Sequence, residues 1–344
     1  MPTSDPHVRH PEPIVPMTPR EHHLGVLDGW RGISILLVLA AHLLPLGPKL
    51  WKLNDTAGPM GMALFFTLSG FLITRLLLGH MTIPDFLIRR LCRIVPLAWL
   101  TMLVSFALAG TPPEQWLPNF LFYANLPPIR LADVAGHFWS LCVEMQFYMA
   151  IALVVGFAGT RGLLLLPLLC IAVTANRVIA GAHVDIVTWY RVDEILAGGV
   201  LALAYGGRLG QRIPQWIART PLWLALVVFA VASHPGSGAM NYLRPYAAAA
   251  VVGTTLWAPT PRVAAVLCGP ALRYIASISF ALYVFHGLLV STWLGTGDRL
   301  AKYAKRPLLI AATFALAHVS TFHFERYWID WGKRMSKWNR RAPT

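Results

Sequence analysis

Residues 27 to 42 read L-D-G-W-R-G-I-S-I-L-L-V-L-A-A-H, an apolar run with Arg31 near one end and His42 at the other. Extended to Gly47, it approaches the ~20 residues a helix needs to cross a hydrocarbon core of about 30 Å. At about 100° and 1.5 Å per residue, eleven steps return His42 to within roughly 20° of the face carrying Arg31, some 16 Å further along. Entered from the cytoplasm, this helix holds His42 about 18 Å deep, past the midplane. Ionisable groups at such depth are costly, so each is a candidate for function.

Working outward, the same hydropathy signal recurs. Apolar stretches fall near 30 to 47, 58 to 78, 94 to 110, 137 to 158, 162 to 176, 193 to 206, 220 to 233, 243 to 258, 274 to 294 and 307 to 324. The expected fold is therefore an all-α integral membrane protein of about ten transmembrane helices. Composition agrees: the chain of 344 residues is 56% hydrophobic and 13% charged, with a mean hydropathy of +0.56. A chain so apolar lacks the polar surface to dissolve as a globule.

The net charge of +14 does not indicate nucleic-acid binding, because the basic residues lie in short clusters between apolar runs rather than on one polar face. With the N-terminus inside and spans alternating, nineteen of the 29 lysines and arginines fall on the inner side. Both termini are thus expected in the cytoplasm, with the lipid bilayer as partner and the cell inner membrane as location. The outer loop with Arg299, Lys302, Lys305 and Arg306 runs against this bias. Three regions follow: a flexible cytoplasmic leader (1 to 29), a membrane domain (30 to 326) and a basic cytoplasmic tail (327 to 344). The leader lacks the basic start and small-residue cleavage site of a signal peptide. Its His7, His10, His22 and His23 are irregularly spaced, which favours solvated side chains over a metal site. Cys92, Cys142, Cys170 and Cys268 are widely separated and read as reduced packing residues. No metal is expected.

Two further titratable groups lie at membrane depth. Glu144 sits in H-F-W-S-L-C-V-E-M-Q-F-Y (137 to 148) and His286 in S-I-S-F-A-L-Y-V-F-H (277 to 286). Counting inward places both at a depth similar to His42. Ser140 precedes Glu144 by four, and Ser279, Tyr283 and His286 follow i, i+4, i+7, so each helix offers one polar stripe. The bland alternatives are a histidine bonded to a nearby carbonyl and a glutamate locking two helices together. His318 and His323 suit a helix end near lipid headgroups. Arg89, Arg90 and Arg93 open the third span, where free backbone N–H groups already favour anions. Such a cluster suits a phosphate-rich cytosolic ligand, or simply anchors topology. In F-F-T-L-S-G-F-L-I, Gly70 permits close helix approach and Ser69 supplies a hydroxyl.

Taken together, these stretches resemble the acyltransferase-3 family of membrane O-acyltransferases. The matching segments are 27 to 42, 61 to 73 (G-M-A-L-F-F-T-L-S-G-F-L-I), 89 to 96 (R-R-L-C-R-I-V-P), 137 to 148, 191 to 198 (R-V-D-E-I-L-A-G) and 277 to 286, in family order over about residues 24 to 330. The resemblance implies an acyl group, usually acetyl, taken from cytosolic acyl-CoA and passed to a hydroxyl acceptor such as a glycan or lipid-linked saccharide. It assigns Arg31 and His42 to the R-x10-H pair, Arg90 and Arg93 to donor binding, Ser69 to the S-G-F-L motif and Glu144 to the W-S-L-x-x-E box. Many members carry an appended SGNH-type domain, which is not expected within this chain.

Residues and resemblance together suggest a division of labour. Arg90 and Arg93, helped by Arg31, hold the CoA phosphates, while His42 acts as general base or carries the acyl group. Glu144 orients or stabilises the imidazole, and His286 completes the candidate catalytic set. The rivals are a proton-coupled transporter using His42, Glu144 and His286, and a membrane sensor without acyl-CoA dependence. A homo-oligomer remains open.

Overall fold

The computed structural model describes residues 19–79 and 81–339, apart from the side chains of 19–24, 299 and 337–339. Among the described residues there is no strand. The helices are α1 (Pro19–Leu43), α2 (Leu53–Leu78), α3 (Ile83–Ala109), α4 (Pro113–Phe120), α5 (Trp139–Ala158), α6 (Leu166–Ala180), α7 (Asp193–Tyr205) and α8 (Arg212–Arg219). There follow α9 (Leu222–Ser233), α10 (Arg244–Trp257), α11 (Pro261–Leu267), α12 (Pro270–Ser277), α13 (Ser279–Val290), α14 (Arg299–Ala304), α15 (Arg306–Val319) and α16 (Arg326–Asn339). A π-helical segment, Ser320–Glu325, joins the last two.

Each of the ten expected apolar stretches falls on a helix, but not all of those helices are long. Five helical stretches are long and apolar enough to cross a membrane, or up to seven if each of two bent pairs counts as one span. The bends are 93° between α8 and α9 and 63° between α12 and α13. Thr220 and Pro221 separate α8 from α9, and the residue before a proline disfavours helical backbone. One stretch, Asp133–Ala180, is 48 residues long, far more than the ~20 needed for a crossing. It holds α5 and α6, joined by a 3-10 segment at Gly159–Leu165. Helices α7, α9 and α10 have 13, 12 and 14 residues, roughly 18 to 21 Å, less than the core's thickness.

The boundaries of the end regions also differ from the sequence reading. Helix α1 begins at Pro19, so residues 19 to 29 of the expected leader are helical. His7 and His10 lie outside the described residues, as do the side chains of His22 and His23. At the other end α16 packs on α3: the Arg89 Nε–H donates to Ser336 Oγ at 3.2 Å, and a Cβ on Gly332 would meet Cys92 Cβ at 2.9 Å. Arg89, Cys92 and the C-terminal helix therefore share one end of the bundle. No disulfide forms among the described residues, and Cys92, Cys142 and Cys170 are buried.

Helix α2 is the central ruler. Antiparallel α1 lies against its first half, where a Cβ on Gly58 would stand 3.5 Å from Ala41 and one on Gly61 would reach 2.6 Å from the Ser34 carbonyl oxygen. Parallel α7 lies against its second half, with Gly70 facing the Ile195 carbonyl and Gly198 facing that of Thr67. The added Cβ atoms would approach those oxygens to 1.8 and 2.0 Å. Glycine at both contacts lets the two backbones touch, as small residues do between membrane helices.

Candidate functional site

The end of α1, the N-terminal half of α2, the turn Asp133–Phe138 and α13 enclose a cavity of about 410 Å³. His42, His137 and His286 line it together with Tyr283, Trp139 and Arg191. The His42 and His286 ring centroids are 5.2 Å apart, and those of His137 and His286 are 5.3 Å apart. His42 is exposed to this space, whereas His286 is buried.

Backbone carbonyls settle which ring nitrogens carry protons in the neutral forms, because a carbonyl only accepts. His42 Nδ1–H donates to the Val38 carbonyl at 2.9 Å, and His286 Nδ1–H to that of Tyr283 at 2.6 Å. His137 uses Nε2–H on the Val284 carbonyl at 3.1 Å. The nitrogens left with a free lone pair are thus Nε2 of His42, Nε2 of His286 and Nδ1 of His137, each able to take a proton. The wall behind them is fixed by hydroxyls: Ser140 donates to Tyr283 at 2.6 Å, and Tyr283 donates to the His137 carbonyl. The two polar stripes expected on α5 and α13 meet at this pair. Phe65 stacks on the Tyr283 ring.

Glu144 stands elsewhere. Its Oε1 accepts from both Ser69 and Tyr148, while His42 lies beside the Ala41–Gly58 contact. Gly58 and Ser69 are eleven positions apart on α2, or about 16 Å. The expectation of similar depths for all three titratable groups therefore holds for His42 and His286, not for Glu144. Taking His137 as the edge of the span carried the error, since that residue packs against His286 at the cavity itself, and seven helical residues take Glu144 about 10 Å beyond it.

The carboxylate of Glu144 instead belongs to the arginine cluster. Arg31, Arg90, Arg93 and Glu144 act electrostatically on one another, and the Arg90 guanidinium lies 6.0 Å from the Tyr148 ring centroid. None of the three arginines has a carboxylate within ion-pair distance among the described residues. Asp28 and Glu325 also act on the cluster, but without a direct ion pair the guanidinium groups can still take a ligand bearing several negative charges. Arg31 and His42, on one helix, connect this cluster to the histidine cavity.

Arg306, part of the loop that defied the charge bias, donates from Nη1 to the His42 carbonyl at 3.3 Å. A cation there complements the negative end of α1. Lys305 Nζ donates to the carbonyls of Trp293 and Thr296 at 2.5 and 2.7 Å. Two of the four basic residues in that loop thus tie backbone ends. His318 pairs with the Tyr274 hydroxyl at 3.0 Å, away from the cavity. His137, Tyr148 and Arg191 were not singled out from sequence as site residues, although all three lie in motifs quoted for the resemblance.

These features define a multi-pass membrane protein of helices around a buried polar site. An acyltransferase-domain family profile matches residues 24–325, and the chain belongs to that family, acyltransferase-3. The chain is 25% identical over 77% of its length to "Putative peptidoglycan O-acetyltransferase YrhL" of Bacillus subtilis, covering 49% of that protein. It is 24% identical over 77% of its length to "Putative O-acetyltransferase SACOL0978" of Staphylococcus aureus, covering 50%. Against "Peptidoglycan O-acetyltransferase OatA" of Listeria monocytogenes it is 22% identical over 86% of its length, covering 54%. The chain thus spans about half the length of these relatives. No solved structure matches it.

Proposed function

We propose that this protein is an O-acyltransferase of ten spans with both termini in the cytoplasm of an inner membrane, moving an acyl group, foremost acetyl, from acyl-CoA to a hydroxyl of a glycan or lipid-linked saccharide. The named activity of the relatives favours a peptidoglycan sugar as acceptor. The observation that carries the reading is the two-ended site. Three histidines share one cavity, and on the same α1 helix Arg31 joins Arg90 and Arg93 in a cluster without ion-paired carboxylates.

In this reading Arg31, Arg90 and Arg93 hold the CoA phosphates, and the pantetheine arm runs past Ser69 and Glu144 toward the cavity. His42 Nε2 removes the proton of the acceptor hydroxyl as its oxygen attacks the thioester carbonyl. The C–S bond breaks, the CoA thiolate leaves and His42 returns the proton to it. Nδ1 on the Val38 carbonyl keeps Nε2 free for this step. Ten crossings are supported by the ten apolar stretches that fall on helices. The shared end of Arg89 and α16 supports a C-terminus on the donor side.

The test uses purified protein in detergent with labelled acetyl-CoA. CoA release that depends on an added saccharide acceptor is expected. No acyl-CoA binding, with proton or solute flux in liposomes instead, would replace the enzyme reading by the transporter.

A further inference from the structure

Beside the histidines, the cavity wall carries a charge that the transfer chemistry above does not use. Arg177, Arg191, Arg244, Asp193 and Glu194 form one buried group, each 2% exposed or less. Arg177 Nη1 pairs with Asp193 Oδ2 at 2.5 Å, and Arg244 Nε pairs with Glu194 Oε1 at 2.7 Å. Arg191 reaches only the other oxygen of Glu194, at 3.4 Å through Nη2. Three guanidinium groups thus share two carboxylates, leaving one positive charge over.

Unsatisfied atoms are spread over the group: Nε and Nη1 of Arg191, Nη1 of Arg244, Asp193 Oδ1 and Glu194 Oε2 are buried without a hydrogen-bond partner. Of these residues Arg191 alone lines the histidine cavity. Its guanidinium carbon lies 5.3 Å from the Trp139 ring centroid, a contact that holds the planar fork in place but satisfies neither N–H. Asp133, exposed on the same cavity wall, forms no ion pair with Arg191 among the described residues. A buried cation with open donors is costly unless an anion completes it. Each open guanidinium N–H can give a charge-assisted hydrogen bond to a carboxylate or phosphate oxygen.

We infer that Arg191 is the anion-recognition residue of the acceptor subsite, so that the acceptor bears a carboxylate or phosphate near the hydroxyl that is acylated. The inference rests on the acyltransferase reading, since it takes the histidine cavity as the place where the acceptor sits. It also makes Arg191 expendable for folding. Without it, Arg177 and Arg244 still balance Asp193 and Glu194.

The probes are the disaccharide of N-acetylglucosamine and N-acetylmuramic acid, with its free lactyl carboxylate, and the corresponding carboxamide, which differs in charge but hardly in shape. Calorimetric titration of the full chain in nanodiscs compares the two on wild type, Arg191→Gln and Arg191→Lys. Wild type is expected to bind the carboxylate at least ten-fold more tightly than the carboxamide, with inorganic phosphate competing. Arg191→Gln should erase that preference, leave carboxamide binding unchanged and melt no lower than wild type; Arg191→Lys should retain part of the preference. Equal binding of the two sugars by wild type, binding of neither, or a preference that survives Arg191→Gln overturns the inference. Should Arg191→Gln fail to fold, the wild-type comparison and Arg191→Lys still decide it. Acyl-CoA binding, titrated in the same samples, reports separately on the acyltransferase reading.

Discussion

The imidazoles of His42 and His286 lie with ring centroids 5.2 Å apart, although they come from opposite ends of the chain. Each spends Nδ1–H on a carbonyl of its own helix. A proton on one ring would repel a second on the other at this distance, so the pair behaves as one coupled acceptor for protons. His137, bonded to α13 through the Val284 carbonyl, closes the group from the third side.

Gly287 makes room for that arrangement. A Cβ there would stand 2.3 Å from His137 Nδ1, inside contact distance of the ring nitrogen left free. Gly287→Ala is therefore expected to push the imidazole aside. A misplacement of about 1 Å at a reacting group can cost on the order of 10²-fold in rate, so kcat should fall by roughly that factor with the fold retained. Gly136→Ala is the control, because a Cβ there meets nothing within 4 Å. Equal kcat values for the two variants would remove His137 from the working site.

Gly70→Ala should act on folding instead. Its Cβ would lie 1.8 Å from the Ile195 carbonyl oxygen, and a backbone oxygen cannot swing away as a side chain can. Overpacking typically costs about 1–3 kcal/mol, so the variant should show reduced yield and a lower Tm. The comparison is Gly156→Ala, where the nearest atom is Ile83 Cδ1 at 3.5 Å. Matching Tm values would mean that α2 and α7 can separate at no cost.

How much of this was legible beforehand depends on helical periodicity. The R-x10-H spacing of Arg31 and His42 could be projected because α1 is continuous from Pro19 to Leu43. Ser140 could be set on the stripe of Glu144 because both lie in α5. His137 could not, since the 3-10 turn Asp133–Phe138 breaks the 3.6-residue period just before α5. Nor does any local pattern reveal that Arg191 shares Glu194 with Arg244, a partner brought in by α10. Such ion pairs belong to helix packing, and hydropathy carries no information about them.

At the arginine end of the site, Arg90→Glu with Arg93→Glu tests donor binding. Charge-assisted hydrogen bonds contribute about 1.5–3 kcal/mol each, so the KM for acyl-CoA should rise by at least ten-fold, a conservative figure that allows for solvent screening. Membrane insertion should survive, because Arg89 retains its bond to Ser336. An unchanged KM in well-inserted protein would reduce both arginines to topology signals.

Glu144→Gln separates charge from shape. Ser69 and Tyr148 both donate to Oε1, and an amide oxygen can accept from the same two hydroxyls. The variant should keep its Tm while kcat falls about ten-fold or more if the carboxylate charge serves transfer. Glu144→Ala leaves two buried hydroxyls without this acceptor, at about 1–3 kcal/mol each, and should melt lower. A Gln variant that unfolds as the Ala variant does, with no separate loss of kcat, would make Glu144 a structural lock.

The decisive variant is His42→Ala. His42 is the one cavity histidine on the helix that also carries Arg31, and its exposed ring keeps Nε2 free. Its loss should abolish acyl transfer while acyl-CoA binding stays near wild type, because the arginine cluster lies about 16 Å away along α1. General acid–base catalysis is typically worth about 10² to 10⁴ in rate, so activity within ten-fold of wild type would exclude His42 as the base. The same comparison addresses a covalent route. Wild-type protein incubated with labelled acyl-CoA and no acceptor is expected to stay unlabelled on rapid quench if His42 acts as base. A hydroxylamine-sensitive label that appears on wild type and is missing from His42→Ala would instead make His42 the acyl carrier.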